Sequence, residues 1–179
     1  MFKRVLIANR GLIQANGVRA VKELGGTAVT VFESEDRDSA GVRNADEAYE
    51  LQNSQSRFRP YLDIDQIVRL AEEHGIDAVH PGYGFLAQNA RMARELEERG
   101  IHFIAPPVDG IHSLSNKAMV KEAAAKAGLP VLRGTGAFSD RGRLESAAGE
   151  LAFPLMMKPV HGFGGIGVRL IDHQGHLQE

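Results

Sequence analysis

The stretch YLDIDQIVRLAEEHGIDAVHPG, residues 61–82, encodes a helix followed directly by a strand. Its apolar residues recur at helical spacing, which predicts an amphipathic helix with one buried face. These residues are Ile64, Ile67, Val68 and Ala71. Asp63 is placed to cap this helix and Gly75 to end it. The run 77–80 then predicts a short strand, and this succession is typical of an α/β protein.

The same alternation of strands and helices runs through the first part of the chain. Strands are predicted at 5–8, 28–32 and 102–104, and helices at 11–24 and 89–99. This order predicts a Rossmann-like α/β domain, with a parallel sheet and helices on both faces. Ligands of such folds bind at the carboxyl ends of the strands. We therefore expect the turns 9–11, 33–38 and 81–85 to lie together at one edge of the sheet.

The pattern changes after Pro106 and Pro107, where a second domain is expected to begin. Helices are predicted at 116–127 and 143–151, and strands at 155–158 and 168–171. We place the domain boundary near 107–117. The chain then comprises one domain over 1–112 and part of a second domain over 113–179.

Composition excludes several classes of protein. The 179 residues are 43% hydrophobic and 25% charged, which is ordinary for a globular protein. A net charge of −2 does not indicate a nucleic-acid partner. The start MFKRVLIANRG predicts a first strand and not a signal peptide or membrane span. Because there is no cysteine, a disulfide framework and a thiolate zinc site are excluded, and a reducing compartment is permitted.

The stretch KPVHGFGGIGVRLI, residues 158–171, contains four glycines within six residues after a lysine. Glycine lets backbone N–H groups approach an anion, so the loop is a candidate phosphate site. A flexible hairpin tip is the alternative. The lysine precedes the glycines, which excludes a Walker A loop, and the strand that follows excludes a dinucleotide fingerprint.

The other polar candidates have simpler interpretations. The seven histidines show no metal-ligand spacing, so no metal site is expected from them. Arg10 is placed to reach an anion at a helix N-terminus, although an exposed turn arginine is commoner. His80 is expected to pack or to form a hydrogen bond at the end of its strand. The carboxylates Glu33, Glu35, Asp36 and Asp38 predict a solvated acidic turn.

Several longer motifs occur together in a fixed order. They are VLIANRG (5–11), SEDRDS (34–39), ADEAYEL (45–51), HPGYGFL (80–86), NKAMVKEAAAKAGLPV (116–131) and FPLMMKP (153–159). From residue 1 to about 172 the chain resembles the N-terminal region of biotin carboxylases. These are the ATP-grasp ligase components of acetyl-CoA, propionyl-CoA and pyruvate carboxylases. The resemblance implies a preATP-grasp domain followed by the start of an ATP-grasp domain.

The resemblance also implies a reaction and a set of site residues. The reaction is ATP-dependent carboxylation of biotin by bicarbonate through carboxyphosphate, with Mg²⁺ bridging the phosphates. The implied nucleotide contacts are Lys117, Lys158, Gly162, Gly164, Gly165 and Gly167, and the substrate-side turns contain Arg10, Gly11, His80, Gly82, Tyr83 and Gly84. The family's metal ligands and catalytic base lie downstream of the position matching Glu179. No catalytic or metal-binding residue is therefore assigned, and the isolated chain is expected to lack bicarbonate-dependent ATPase activity.

The implied partners are a biotin carboxyl carrier and a carboxyltransferase, with a possible homo-oligomer and a cytoplasmic location. No nucleic-acid or membrane partner is expected. One alternative is a non-catalytic homologue or a truncated interaction or dimerisation module. Another is a Rossmann-like nucleotide-binding domain of a different enzyme.

The sequence departs from the family pattern at the strand ends and in the glycine-rich loop. The replacements are Leu12 for glutamate, Gln14 for a small residue, Asn16 for arginine, Ala87 for serine, Gln88 for glutamate, His161 and Phe163 for glycine, and Ile166 for arginine. The loss of a cation and two glycines predicts that the loop 161–167 holds phosphate poorly. We expect ATP to bind no more tightly than about 1 mM.

Overall fold

The computed structural model describes residues 1–52, 60–84, 86–160 and 165–177. The chain divides into two compact units, Met1–His112 and Ser113–Glu179. Each unit is described by itself below.

The first unit is built on a five-stranded parallel sheet. Its elements are β1 (Arg4–Ile7), α1 (Gly11–Glu23), β2 (Thr27–Phe32), α2 (Ala40–Asn44), β3 (Glu47–Glu50), α3 (Ile64–Glu73), β4 (Ala78–His80), α4 (Ala90–Glu98) and β5 (His102–Phe103). The strand order is β3-β2-β1-β4-β5, and every neighbouring pair is parallel. The predicted parallel α/β fold is therefore confirmed.

The sheet is covered by helices on both faces. Successive residues of a strand point to opposite faces, and β1 shows this directly. Leu6 belongs to a buried cluster with Ile67 of α3 and Met92 of α4. Ile7 belongs to a second buried cluster with Val18 of α1. Helices α3 and α4 therefore cover one face, and α1 covers the other.

The helix predicted in the opening stretch forms as expected. The Asp63 carboxylate accepts a hydrogen bond from the Gln66 N–H at 3.0 Å, which caps the first turn. The apolar face of α3 is buried at Ile67, Val68 and Ala71. Gly75 follows the helix with a φ of +58°, a left-handed conformation that glycine adopts at little cost.

Two elements of this unit were not predicted, α2 and β3. The sequence of β3 is EAYE, and all four of its residues are only partly buried. It lies at the edge of the sheet and pairs only with β2. Strand β3 was not predicted because its two glutamates interrupt the apolar run that indicates a buried strand.

Arg4 connects β1 to β3 at the amino edge of the sheet. Its guanidinium donates to both carboxylate oxygens of Glu47, at 2.8 and 2.9 Å. The hydroxyl of Tyr49 donates to the same carboxylate at 2.7 Å, and the Tyr49 ring stacks on His74 with 3.8 Å between centroids. Arg4 also donates to the His74 carbonyl at 3.2 Å. These contacts join two strands and the end of α3.

The second unit contains two helices and a hairpin. Its elements are α6 (Lys117–Lys126), α7 (Arg141–Gly149), β6 (Leu155–Met157) and β7 (Arg169–Ile171), and α5 (Val108–Ser115) contains the boundary between the units. Helix α5 was not predicted. Helix α7 begins before the predicted residue 143, because Asp140 caps it by accepting a hydrogen bond from the Arg143 N–H at 2.8 Å. Strands β6 and β7 pair antiparallel.

Replacing Arg4 with Gln should make the stability of the chain less sensitive to acid. The hydrogen bonds from Arg4, and then from Tyr49, lower the pKa of Glu47 from 4.5 to about 2. A lowered pKa means that the ionised carboxylate stabilises the fold above pH 4.5, and that this contribution is lost as the pH falls toward 2. The difference in unfolding free energy between the native chain and R4Q should therefore become smaller as the pH falls from 4.5 toward 2. Urea unfolding at several pH values measures it.

Arg19→Gln is the matched control for this experiment. Arg19 pairs with Glu23 at 2.7 Å on the exposed surface of α1, with both side chains more than 60% exposed. Removing such a pair should change the unfolding free energy by about 0.5 kcal/mol or less. A difference between R4Q and the native chain that does not vary with pH would contradict the role given to Glu47.

Candidate functional site

The carboxyl ends of β1, β2 and β4 lie at the same edge of the sheet. The register pairs Ile7 of β1 with Thr30 of β2 on one side and with His80 of β4 on the other. The turns that follow these strands are 9–11, 33–38 and 81–84. The strand order reverses beside β1, so this edge is a topological switch point, where ligands of such sheets bind. The expected grouping of the three turns is confirmed, while Phe85 lies outside the described residues.

Asn9 ties the first turn to the third. Its side chain is fully buried, and its amide nitrogen donates to the carbonyls of Pro81 at 2.7 Å and Tyr83 at 3.1 Å. Its amide oxygen accepts a hydrogen bond from the Arg10 N–H at 2.9 Å. Both ends of the amide are bonded within the edge, so the two turns are fixed relative to each other.

Gly82 allows this close approach of the two turns. Its φ is +67°, and a Cβ there would lie 2.5 Å from Cγ2 of Ile13 and 2.7 Å from Nδ2 of Asn9. The Gly82 N–H donates to Nδ1 of His80 at 3.0 Å. The predicted hydrogen bond of His80 at the strand end is therefore present. In the neutral ring the proton is then on Nε2, because Nδ1 accepts.

Arg10 ties the first turn to the second. Its guanidinium lies 2.7 Å from the Asp36 carboxylate and 3.5 Å from that of Glu33, and 5.6 Å from the centre of the Tyr61 ring. The side chains of Glu33 and Asp36 are only 17% and 14% exposed. The prediction of a solvated acidic turn is wrong for these two residues. The parallel strands bring the two turns together, so their opposite charges pair.

Tyr61 completes this charged cluster and was missed by the sequence reasoning. Its hydroxyl donates to Asp36 at 2.7 Å and accepts from the Glu33 N–H at 3.2 Å. Burial alone would raise the pKa of Asp36, but the hydrogen bonds from Arg10 and Tyr61 outweigh it and lower this pKa. Burial and the bond to Asp36 raise the pKa of Tyr61. At neutral pH Asp36 is therefore an anion that pairs with Arg10, and Tyr61 keeps its proton.

The exposed parts of the first and third turns are apolar and rich in glycine, whereas the second turn exposes the charged residues Glu35, Arg37 and Asp38. Tyr83 is 74% exposed in the third turn, and Leu12 is 77% exposed at the start of α1. Gly11 and Gly84 have φ values of +61° and +68°, and an added Cβ at either position meets no described atom within 4 Å. The first and third turns therefore offer apolar surface and open backbone to a ligand.

In the second unit the hairpin brings Lys158 close to the end of the glycine-rich loop. Strands β6 and β7 pair with Met157 opposite Arg169, and Lys158 follows β6 as an exposed side chain. The Val168 N–H donates to the Gly165 carbonyl at 3.1 Å, which closes a tight turn before β7.

This turn packs beside the residue that follows Lys158. Gly165 and Gly167 have φ values of +77° and +75°, and a Cβ at Gly167 would lie 3.2 Å from the Pro159 ring. Lys117 is the exposed first residue of α6. His161, Gly162, Phe163 and Gly164 lie outside the described residues. The structure thus brings together Lys158, Gly165 and Gly167 of the implied nucleotide contacts.

The described residues offer neither a metal-ligand cluster nor a membrane span. Within residues 1–52, 60–84, 86–160 and 165–177, no group of three histidine or carboxylate side chains is placed to hold a metal ion. The same residues contain no helix that is both long enough and apolar enough to cross a bilayer.

The parallel sheet and the turns at its carboxyl edge define the first unit as an α/β domain of the kind that binds nucleotides. The second unit contains a hairpin with a glycine turn. Residues 1–111 match the family described as biotin carboxylase, N-terminal domain. Residues 116–179 match the ATP binding domain of the carbamoyl-phosphate synthase L chain. Since the first match covers more than half of the chain, the chain belongs to the biotin carboxylase N-terminal domain family. The resemblance seen in the sequence is confirmed.

Similar proteins include components of several carboxylases. The chain is 40% identical to the 2-oxoglutarate carboxylase small subunit of Hydrogenobacter thermophilus over 99% of its length. It is 39% identical over 99% to a pyruvate carboxylase subunit of Methanothermobacter thermautotrophicus. It is 38% identical over its full length to a biotin carboxylase of Halalkalibacterium halodurans. The chain spans only 36–40% of the length of these relatives.

Two solved structures show the same fold over 99% of the chain. One is the biotin carboxylase domain dimer of the Hydrogenobacter thermophilus 2-oxoglutarate carboxylase, in complex with MgADP, ADP and bicarbonate, with a TM-score of 0.93 at 40% identity. The other is a biotin carboxylase from Campylobacter jejuni in complex with β,γ-ATP, with a TM-score of 0.90 at 33% identity. The chain covers 39% and 40% of these two chains.

Substituting Gly82 with Ala should destabilise the chain far more than the same change at Gly84. Both positions have a positive φ, which costs an L-residue about 1–2 kcal/mol. Only at Gly82 does the new Cβ also collide with Ile13 and Asn9, which adds about 1–3 kcal/mol. Urea unfolding measures the two free energies, and G84A is the matched control. Equal losses in the two variants would show that the contact between the turns is not tight.

Proposed function

We propose that this chain is the N-terminal part of the biotin carboxylase component of a biotin-dependent carboxylase. Residues 1–112 form its preATP-grasp domain and residues 113–179 the beginning of its ATP-grasp domain. The proposed activity is carboxylation of biotin with bicarbonate and ATP. The order of the two family matches supports this assignment. The structural observation that carries it is the hairpin, which places Lys158 beside a glycine turn.

The second unit is proposed to bind the phosphates of ATP. A lysine and a row of backbone N–H groups neutralise the charge of a phosphoryl group during its transfer. The strand register and the contact of Gly167 with Pro159 support the proposal that Lys158, Gly165 and Gly167 act on the same phosphates. Lys117, Gly162 and Gly164 join this set by their positions in the family motif.

The first unit is proposed to face the biotin group. The Arg10 charge already pairs with two carboxylates, so Arg10 supports the turns rather than binding an anion. Tyr83 offers an exposed ring, and Gly11, His80, Gly82 and Gly84 complete the two turns proposed to face the substrate. Apolar surface with open backbone suits the uncharged bicyclic ring of biotin.

Mg²⁺ is proposed to accompany the nucleotide, with protein ligands from the part of the family that follows the matched region, because one solved relative is a complex with MgADP. A biotin carboxyl carrier and a carboxyltransferase are proposed as partners, because relatives include subunits of carboxylases. A homo-oligomer is proposed from the dimer of one solved relative. A cytoplasmic location and the lack of ATPase activity in the isolated chain stay predictions.

Replacing Lys158 with Ala should abolish the response of the glycine turn to ATP. Addition of MgATP to the native chain is expected to shift the amide NMR signals of Gly165 and Gly167, with a dissociation constant of about 1 mM or weaker. Removing the cation costs about 1.5–3 kcal/mol of charge-assisted bonding, so the shifts should disappear in K158A. Lys126→Ala is the control, because Lys126 pairs with Glu122 on the exposed surface of α6. Identical titrations of K158A and K126A would refute the assignment of Lys158.

Restoring the family pattern in the loop should strengthen nucleotide binding. The triple change His161→Gly, Phe163→Gly and Ile166→Arg returns two glycines and one cation. Ile166 is 72% exposed, so an arginine at this position is free to reach a phosphate. One charge-assisted bond corresponds to about one to two decades of affinity. The ATP titration repeated on the variant measures the gain, with Ile166→Gln as the uncharged control. An unaltered affinity would show that the loop is not the weak point.

A further inference from the structure

Gln14 is a fully buried polar side chain in the first turns of α1. Its amide nitrogen lies 2.9 Å from the Asn9 carbonyl, 2.6 Å from the Thr30 hydroxyl and 2.7 Å from the Val31 carbonyl. A carbonyl only accepts, so this end of the side chain must be the NH₂ group. The amide oxygen accepts a hydrogen bond from the Ser39 hydroxyl at 3.3 Å. Both ends of the buried amide are therefore bonded.

The partners of Gln14 lie in the first turn, in β2 and at the start of α2. Asn9 follows β1 and holds the third turn through the carbonyls of Pro81 and Tyr83. Val31 lies near the end of β2, just before the acidic turn. Ser39 caps α2, which begins where that turn ends. A single side chain thus contacts the first turn directly and connects it to the other two.

The lack of a side chain at Gly41 leaves the space that the Gln14 amide occupies. A Cβ at Gly41 would lie 2.4 Å from Oε1 of Gln14, 2.6 Å from its Cγ and 2.8 Å from its Cδ. Gly41 is a buried helical residue of α2 without a positive φ, so its backbone does not require glycine. Glycine is also less favourable than alanine in a helix. The space needed by Gln14 is the physical reason for a glycine at this position.

We propose that Gln14 is a positioning residue that sets the three strand-end turns relative to one another, with Gly41 as its steric complement. A small side chain, which is usual at position 14 in this family, is too short to make these bonds. Only the substrate-facing role of the turns rests on the proposed function. The coupling of the turns through Gln14 does not, and the experiments below test the coupling without nucleotide or biotin.

The first experiment asks whether the effect of Gly41→Ala depends on Gln14. The three tyrosines of the chain, Tyr49, Tyr61 and Tyr83, all lie in the first unit, so tyrosine fluorescence follows its thermal unfolding. In the native background G41A should lower the midpoint by about 5 °C or more, because the amide of Gln14 is displaced. In a Q14A background the same change should leave the midpoint unaltered or raise it. Equal decreases in both backgrounds would overturn the steric pairing.

The second experiment tests whether the amide acts as a donor. In Gln14→Glu the shape is kept, but a carboxylate cannot donate to the carbonyls of Asn9 and Val31. Among the described residues, the hydrogen-bond partners of Gln14 are all neutral, so burial should raise the folded-state pKa of this glutamate. A raised pKa favours the fold at low pH, and this advantage is lost as the pH rises through that pKa.

The midpoint of Q14E should therefore fall further below that of the native chain as the pH increases from about 4.5 to 7.5, a range that begins near the ordinary glutamate pKa. Gln14→Leu has a similar volume and no ionisable group, so its deficit should not change with pH. A Q14E deficit that stays constant with pH would overturn the donor role.

The third experiment separates positioning from packing. In Q14L the amide NMR signals of Tyr83 and Gly84 should shift, because Asn9 contacts Gln14 and transmits the change through its hydrogen bond to the Tyr83 carbonyl. The signal of the Lys3 amide, which donates to Asp77 at the opposite edge, should not move. If Q14L is less stable but the Tyr83 and Gly84 signals are unaltered, Gln14 only fills space and the proposal is wrong.

Discussion

The two hydrogen bonds from the buried Asn9 amide to the carbonyls of Pro81 and Tyr83 hold the candidate site together. A buried polar group without a partner costs more free energy than a hydrogen bond gains, so these three groups require one another. The bonds are possible only because Gly82 has a left-handed backbone that passes against Ile13. These bonds fix the first and third turns relative to each other. Arg10, which belongs to the first turn, then connects them to the second turn through Asp36.

Charged side chains at the candidate sites are arranged differently in the two units. In the first unit the Arg10 guanidinium pairs with the carboxylates of Glu33 and Asp36, and Tyr61 stabilises the Asp36 anion. The first and third turns expose an aromatic ring, a leucine and glycine backbone, whereas the second turn exposes the charged side chains of Glu35, Arg37 and Asp38. In the second unit Lys158 stays exposed beside the glycine turn. Within the proposed function, phosphate is assigned to the glycine turn of the second unit and the uncharged biotin ring to the first and third turns of the first unit.

Much of this architecture follows from local patterns in the sequence. Helix α3 and the position of the strand-end turns were predictable, because apolar spacing and capping act over a few residues and parallel strands share one carboxyl edge. Strand β3 was not predictable, since Glu47, one of its two glutamates, is satisfied by Arg4, which is 43 residues away. The pairing of Arg10 with Asp36 and the role of Tyr61 depend on contacts across 25 residues or more. The sequence revealed the unusual Gln14 but not its partner at position 41.

The fit between Gln14 and Gly41 also constrains how the sequence was able to evolve. With a small residue at position 14, either glycine or alanine fits at position 41. Gln14 fits only when glycine is already present, because a Cβ at Gly41 would enter the space of its amide. A chain that acquires Gln14 in this conformation must therefore already have glycine at position 41. In the presence of Gln14, position 41 is constrained by a neighbouring side chain and not by its own backbone, which has no positive φ.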